Sequence, residues 1–449
     1  MSSINLPPEG AQPAAPFDPN APHQQKPKLR AVRGFPVNVG GQQAMGLADA
    51  KQVSDRMVVT APAFQVVLPL MDGTRTIDEI VAQVGRGLAR EHVEPLVAQL
   101  DDAGLIFGPK FDAMIAALRA EFDGSDTLPP AATAQFVEAL GASEAGQEAT
   151  PQDREKAGVR KLKELFDTWI AKSLENVDNP SFDALPKAVI APHLDYPRGW
   201  LNYAAVYGRM RVVDRPDRIV ILGTNHFGEG TGVVACNKSY QTPLGTCELD
   251  RELLDRLVGA LGEGLVANRY DHEREHSIEL HLPWIQHCMG EGGVFPKVLG
   301  VLVHDPAVNN GESYDGRGVA LMPFVEALRG AIASLPGKTL IVASADLSHV
   351  GPAFGDPQAM AGDTPEVGAA RNKVFQHDRE MLDLVRNNKP DELVAAMAWQ
   401  QNPTRWCSTG NIVAALKLVN PDDVEILNYA AAMDEQGNAM VSSAAVVMN

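Results

Sequence analysis

The sequence predicts an α/β chain, with a central, mostly parallel sheet flanked by helices and a small separate unit in front of it. Three observations predict this. Apolar runs stop abruptly in polar residues at 187–193 (KAVIAPH), 218–226 (RIVILGTNH) and 339–349 (TLIVASADLSH), as buried parallel strands do when their last residues enter a crevice. Amphipathic helical stretches alternate with such runs, the pattern of a sheet covered on both faces. At 449 residues the chain is also too long for one average domain.

Residues 1–27, rich in Pro, Gln and Ala, cannot bury enough surface to offset ordering and read as a disordered tail. Residues 28–110 read as a compact unit. An apolar strand is expected at 64–71 (FQVVLPLM) and a turn at Asp72-Gly73. A helix over 77–84, capped by Thr76 with Glu79 as its capping-box partner, precedes a second helix over 92–102. Gly104 stops that helix, and a short closing strand is expected at 105–107. Strand, turn, two helices, strand is a winged-helix order, and LPLMDGTRTIDEI with VAQLDDAGLI resembles the PqqD-like domain, which implies peptide binding by strand addition at a sheet edge. DNA binding is the rival for any winged helix. Residues 28–110 hold nine basic and nine acidic side chains, a poor balance for counterion release, so a peptide or protein partner is favoured.

Residues 111–183 read as a helical connector, with a long charged helix at 154–174 whose apolar stripe is Leu162, Leu165, Phe166 and Ile170. Residues 184–449 carry the α/β text. Strands are expected at 188–191, 219–223, 232–235, 298–303, 340–343, 424–429 and 444–448. Helices are expected at 199–213, 251–261, 277–289, 319–333, 369–387, 391–398 and 411–419.

The formal net charge of −18 argues against a nucleic-acid or anionic-membrane surface. Four cysteines without a C-x-x-C pair give neither a disulfide framework nor a zinc ribbon. No secretory signal and no apolar run long enough to span a membrane are read, so the expected location is the cytoplasm. Walker A, G-x-S-x-G and H-E-x-x-H are all missing, which leaves nucleotide hydrolysis, serine esterase and zincin chemistry without support.

The chemistry is expected where the strands end. Nine of the eleven histidines follow residue 190. His193, His226 and His349 each trail an apolar run by a few residues, and neighbouring parallel strand ends lie close in space. Histidine is both the commonest metal ligand and the usual acid–base group. Asp346, three residues before His349, is placed to orient that imidazole if the stretch is a turn, or else to cap the turn. Cys407 sits in RWCSTG, a small-residue turn opening an apolar helix, where the orphan N–H groups favour a thiolate. Glu275 and His276 are expected at a helix N-terminus facing the crevice. His287 and His304 are expected to be structural, and His272 and His377 exposed.

Read in order, IAPHLDYPRG (190–199), ILGTNHFG (221–228), YQTPLG (240–245), EHSIELHLPW (275–284), VASADLSHVG (342–351), the Cys407 turn and LNYA (427–430) resemble the Memo family, which includes AmmeMemoRadiSam system protein B-like chains. The resemblance implies the fold of the class III extradiol ring-cleaving dioxygenases over 184–449. It further implies a non-haem iron, Fe(2+), on His193 and His226, with Cys407 as third ligand or neighbouring thiol; zinc and copper are alternatives. His349 would be the acid–base group, Asp346 its orienter, and radical-enzyme and AMMECR-type proteins the partners. Two departures stand out. A cysteine occupies the place of the dioxygenases' glutamate, and Asp195 follows His193 where the family usually has Gly, so it adds a crevice carboxylate or a turn hydrogen bond. Three functions remain open: iron-dependent redox or oxygen-linked chemistry on a small or peptide-borne substrate, a non-catalytic peptide- or metal-binding module, and a thiol hydrolase using Cys407, His349 and Asp346.

Overall fold

The computed structural model describes residues 16–146 and 149–449, in two compact units that divide between Ser125 and Asp126. Of the tail expected over 1–27, residues 1–15 lie outside the described part. The remainder is folded: α1 (Pro22–Gln25) buries Gln24, and His23 and Gln24 both reach Asp101.

The first unit opens with an antiparallel meander, β1 (Val32–Val39), β2 (Gln42–Asp49) and β3 (Val58–Thr60). The β1–β2 turn needs Gly40 and Gly41, since both have positive φ, 55° and 81°. The strand expected at 64–71 does not form. Pro62 and Pro69 withhold ladder donors and suit the first turn of a helix, so the run folds as two 3-10 turns, Pro62–Val66 and Leu68–Leu70, still burying Val67, Leu68 and Met71. The closing strand at 105–107 shrinks to a single bridge, Leu29 to Ile106. The strands therefore precede the helices, and the expected winged-helix order is not reproduced. α2 (Ile77–Val84) carries the Thr76–Glu79 capping box, and α3 (Arg90–Asp102) packs Val93, Leu96, Val97 and Leu100 on Ile77 and Ile80. Arg30 and Asp49 form a buried ion pair at 2.8 Å.

The span expected as a connector divides between the units. α4 (Pro109–Asp123) belongs to the first. β4 (Thr127–Leu128), α5 (Ala132–Ala145) and α6 (Pro151–Ser173) belong to the second. There β5 (Ala188–Ala191), α7 (Tyr196–Tyr207), β6 (Arg218–Thr224), β7 (Val234–Ala235), β8 (Ser239–Thr242), β9 (Gly245–Cys247) and α8 (Arg251–Leu261) lead to two short helices, α9 (His276–Glu279) and α10 (Leu282–Met289). β10 (Lys297–Val303), α11 (Leu321–Ala333), β11 (Thr339–Ser344), β12 (Asp346–Val350), α12 (Pro365–Arg386), α13 (Pro390–Gln400), α14 (Thr409–Val419), β13 (Val424–Met433) and β14 (Met440–Met448) complete it.

The large sheet runs β12-β14-β5-β11-β6-β10-β7, with β13 on β14. Only its centre, β5, β11, β6 and β10, is parallel; β7, β12, β13 and β14 pair antiparallel, so the sheet is more mixed than expected. α7 packs on β5, β13 and β14, and α14 on β5, β6 and β11. Both flanks of the central strands are thereby dry, which is why those strands read as continuous apolar runs. β4, β8 and β9 form a separate small sheet. Among the described residues no helix is long and apolar enough to cross a membrane.

Candidate metal centre

Strands β5, β11 and β6 are neighbours and point the same way, so their carboxyl ends deliver Pro192-His193, Ser344 and Asn225-His226 to one place. After Ser344 the chain steps across the end of β5, Ala345 N–H donating to Ala191 O, and continues as β12 along β14. That step sets Asp346 against His193. Cys407 arrives from the far side, on the turn before α14. The turn comes close because residue 410 is glycine: a Cβ there would lie 2.1 Å from the carbonyl oxygen of His304.

Ligating atoms of His193, His226 and Cys407 all lie within 4.8 Å of one another, and His193 Nε2 is 3.4 Å from Cys407 Sγ. The hydrogen bonds decide which nitrogen is free. Ser344 Oγ donates to Ser277 O at 2.6 Å, so it accepts from His193 Nδ1–H at 3.0 Å, leaving the Nε2 lone pair toward the sulfur. His226 Nδ1–H donates to Glu275 at 3.0 Å and its backbone N–H to the other carboxylate oxygen at 2.9 Å, again leaving Nε2. A carboxylate behind an imidazole is the usual means of fixing a ligating histidine.

The electrostatics agree with these roles. Burial, then the neighbouring histidines, hold His193 well below its ordinary value, so its lone pair is available at neutral pH. Burial opposes charge on His226, but Glu275 and Cys407 outweigh it and raise that ring well above the ordinary value. A positive charge is therefore favoured there, whether proton or metal. Burial likewise opposes charge on Glu275, yet His226 and its hydrogen bonds hold it at about 2. His276 stacks on His226 at 4.9 Å and stands edge-on to His193 at 5.5 Å. Glu275, His276 and His226 also come within 4.8 Å, but Ser277 N–H and both donors of His226 occupy the Glu275 oxygens, so Glu275 acts as a support.

Several expectations need correction. Asp346 does not orient His349. The two lie on a strand with an irregular register, not on a helical turn, and Asp346 instead accepts from His193 N–H at 3.0 Å and lies 3.5 Å from His193 Nε2. Burial pushes its carboxyl up to about 7. His349 is oriented by backbone: its Nδ1 donates to Leu347 O at 2.9 Å and Arg405 O at 3.1 Å, and burial lowers it to about 4. The imidazoles beside Cys407 are those of His193 and His226, and its hydrogen bonds among the described residues go to His193, Asp346 O and Ser408, in place of the Cys407–His349–Asp346 arrangement expected of a thiol hydrolase. Asp195 caps α7 and pairs with Arg198 at 2.7 Å, and adds no crevice carboxylate. His272 and His377 are buried, at 3% and 7% exposure, not solvent-exposed. His287 bonds Asp167 and His304 bonds Gly311 O, both structural contacts.

Three supporting residues escaped the sequence reading. Asp378, fully buried, accepts from Ser348, Trp406, Tyr429 and Ser442 and so ties α12 to the Cys407 turn. Its signal is a carboxylate four residues after Val374 and three before Met381, inside the apolar stripe of α12. Asn411 joins Thr224 Oγ1 and Ser344 O beneath the crevice. Glu279 caps α5 through three backbone N–H groups.

The fold and crevice define an α/β protein with a two-imidazole, one-thiol centre at its strand ends. A family profile described as "Memo-like protein" matches residues 156–447, and the chain belongs to the Memo family. A MEMO1 family protein of Aquifex aeolicus is 24% identical over 85% of this chain and 87% of its own. One from Methanopyrus kandleri is 28% identical over 58% and 82%, and one from Desulfurococcus amylolyticus 34% over 56% and 77%.

Proposed function

We propose that His193, His226 and Cys407 hold a redox-capable transition metal, iron by preference, and that the protein performs redox or oxygen-linked chemistry on a small or peptide-borne substrate. The donor set supports this. Two imidazole nitrogens and a sulfur suit iron, zinc or copper and exclude magnesium and calcium. Metal bonds of about 2.0–2.3 Å set ligand pairs roughly 3.5 Å apart, and His193 Nε2 and Cys407 Sγ are 3.4 Å apart. The single observation that carries the reading is that both Nδ1 atoms are already engaged, so both Nε2 atoms are left for an ion, which at His226 displaces the proton that Glu275 favours there.

A bound iron would supply electron transfer and open positions for oxygen and substrate. Around it, Glu275 and Ser344 fix the ring tautomers, and His349, neutral with Nδ1–H held by carbonyls, offers Nε2 as proton acceptor. Phe354, edge-on to His349 at 5.3 Å, helps exclude water. Protein purified without oxygen should retain near-stoichiometric iron, lost in His193→Ala. A site that stays empty after anaerobic loading would end the reading.

The first unit favours partner recruitment as a second role. Among the described residues its meander leaves one edge of β1 without a neighbouring strand, on which a peptide can add a strand, as the PqqD-like resemblance suggests. Pull-downs with and without residues 1–125 should differ in partner content; identical partners would remove this role.

A further inference from the structure

We propose that Tyr207 and His281 form a buried redox pair, connected to the surface by stacked indole rings, which gives up an electron while its proton passes from the phenol to the imidazole. Neither residue belongs to the ligand set. Tyr207 OH lies 2.8 Å from His281 Nδ1, and both residues are fully enclosed. Burial holds the imidazole down to about 3 and raises the phenol, so the resting pair is a neutral phenol donating to a neutral imidazole. Because Nδ1 accepts, Nε2 carries the ring proton, and that N–H has no acceptor among the described residues.

A phenol that loses an electron becomes a strong acid, and the only move required of its proton is the short transfer to His281 Nδ1. The Tyr207 O–H bond breaks and an N–H bond forms at His281. The products are a neutral tyrosyl radical and an imidazolium, while the electron leaves through the adjoining rings.

Those rings are in place. Trp284 lies 6.3 Å from Tyr207 at an interplanar angle of 15°. Trp169 follows 6.2 Å from Trp284 at 24°, and Trp200 lies 6.2 Å from Trp169 at 23°. Trp169 and Trp200 are half-buried and reach solvent. In the other direction Tyr203 stacks on Trp284 at 5.7 Å and 9°, and its OH donates to the carbonyl of Leu194, next to His193. One series of near-parallel rings thus joins the crevice wall to the surface.

The natural oxidant rests on the metal reading above: dioxygen or a peroxide consumed in the crevice draws the electron, and a thiol- or ascorbate-class reductant at Trp200 replaces it. The test does not rest on that reading. Full-length, metal-free protein is oxidised at its surface by a photogenerated ruthenium(III) complex, and radicals are followed by transient absorption and EPR. Wild type should yield a neutral tyrosyl radical that vanishes in Tyr207→Phe, leaving tryptophanyl radical in its place. In His281→Asn, which lacks a basic acceptor, the tyrosyl yield should fall at least tenfold. A tyrosyl signal unchanged by Tyr207→Phe overturns the proposal, as does an undiminished yield in His281→Asn. Should His281→Asn fail to fold, Tyr207→Phe, which removes a single hydroxyl, decides alone.

Discussion

Replacing Glu275 by glutamine keeps the shape of a buried side chain and removes its charge. In the native protein its two oxygens accept from His226 Nδ1 at 3.0 Å, His226 N at 2.9 Å and Ser277 N at 2.9 Å. An amide offers one oxygen and one NH2 group, so wherever it turns, its NH2 confronts a donor. The charge-assisted bond to the ring, worth about 1.5–3 kcal/mol, is lost or reduced to a neutral one. At about 1.4 kcal/mol per tenfold, this weakens metal binding roughly ten- to hundredfold, the usual range for a residue supporting a ligating histidine. The same change lowers the proton affinity of His226, because Glu275 is the largest influence raising it. Two readouts follow: competition of Fe(II) between protein and a chromophoric chelator under anaerobic conditions, and NMR titration of the His226 ring in metal-free protein. Unchanged metal affinity together with an unchanged His226 titration would refute the assignment of Glu275 as support.

Asp378→Ala strands four donors around an empty position and should lower stability by about 3–5 kcal/mol, seen as a reduced urea midpoint together with faster alkylation of Cys407, since Trp406 loses its anchor. Burial holds His272 and His281 down to about 4 and about 3, below the roughly 6.5 of the unfolded chain. Their contribution is therefore complete above about pH 6.5 and is lost as pH falls, by about 1.4 kcal/mol per pH unit for each; urea midpoints at several pH values should show this slope, reduced in His272→Asn. Arg30→Ala leaves Asp49 buried without its partner and should destabilise the first unit by about 3–5 kcal/mol while leaving metal binding in the second unchanged, which hydrogen exchange resolved by unit would show.

What was legible in the sequence follows from which forces act locally. His193 and His226 could be read because a buried parallel strand is apolar throughout, so its first polar residue marks where the sheet stops. Glu275 and His276 could be read as a helix N-terminus, since Glu275 caps α9. The partner of Asp346 could not: it depends on the chain crossing the end of β5, a long-range pairing with β14 that no local spacing encodes. The run at 64–71 was apolar enough for a strand, and two prolines decided otherwise. His272 sits among charged neighbours in YDHERE and reads as exposed, yet its ring is enclosed, with Tyr240 OH at 3.2 Å from one nitrogen and Val234 O at 3.0 Å from the other. Asp378 hid in a charged helix because its four donors come from four other elements, β12, the Cys407 turn, β13 and β14.

The most direct test of the centre is X-ray absorption on anaerobically iron-loaded protein. The arrangement of His193, His226 and Cys407 predicts one sulfur and at least two imidazole scatterers in the first shell, with the sulfur contribution lost in Cys407→Ser and one imidazole lost in His226→Ala. A first shell of oxygen and nitrogen alone in the wild type, unchanged by both substitutions, would contradict the account.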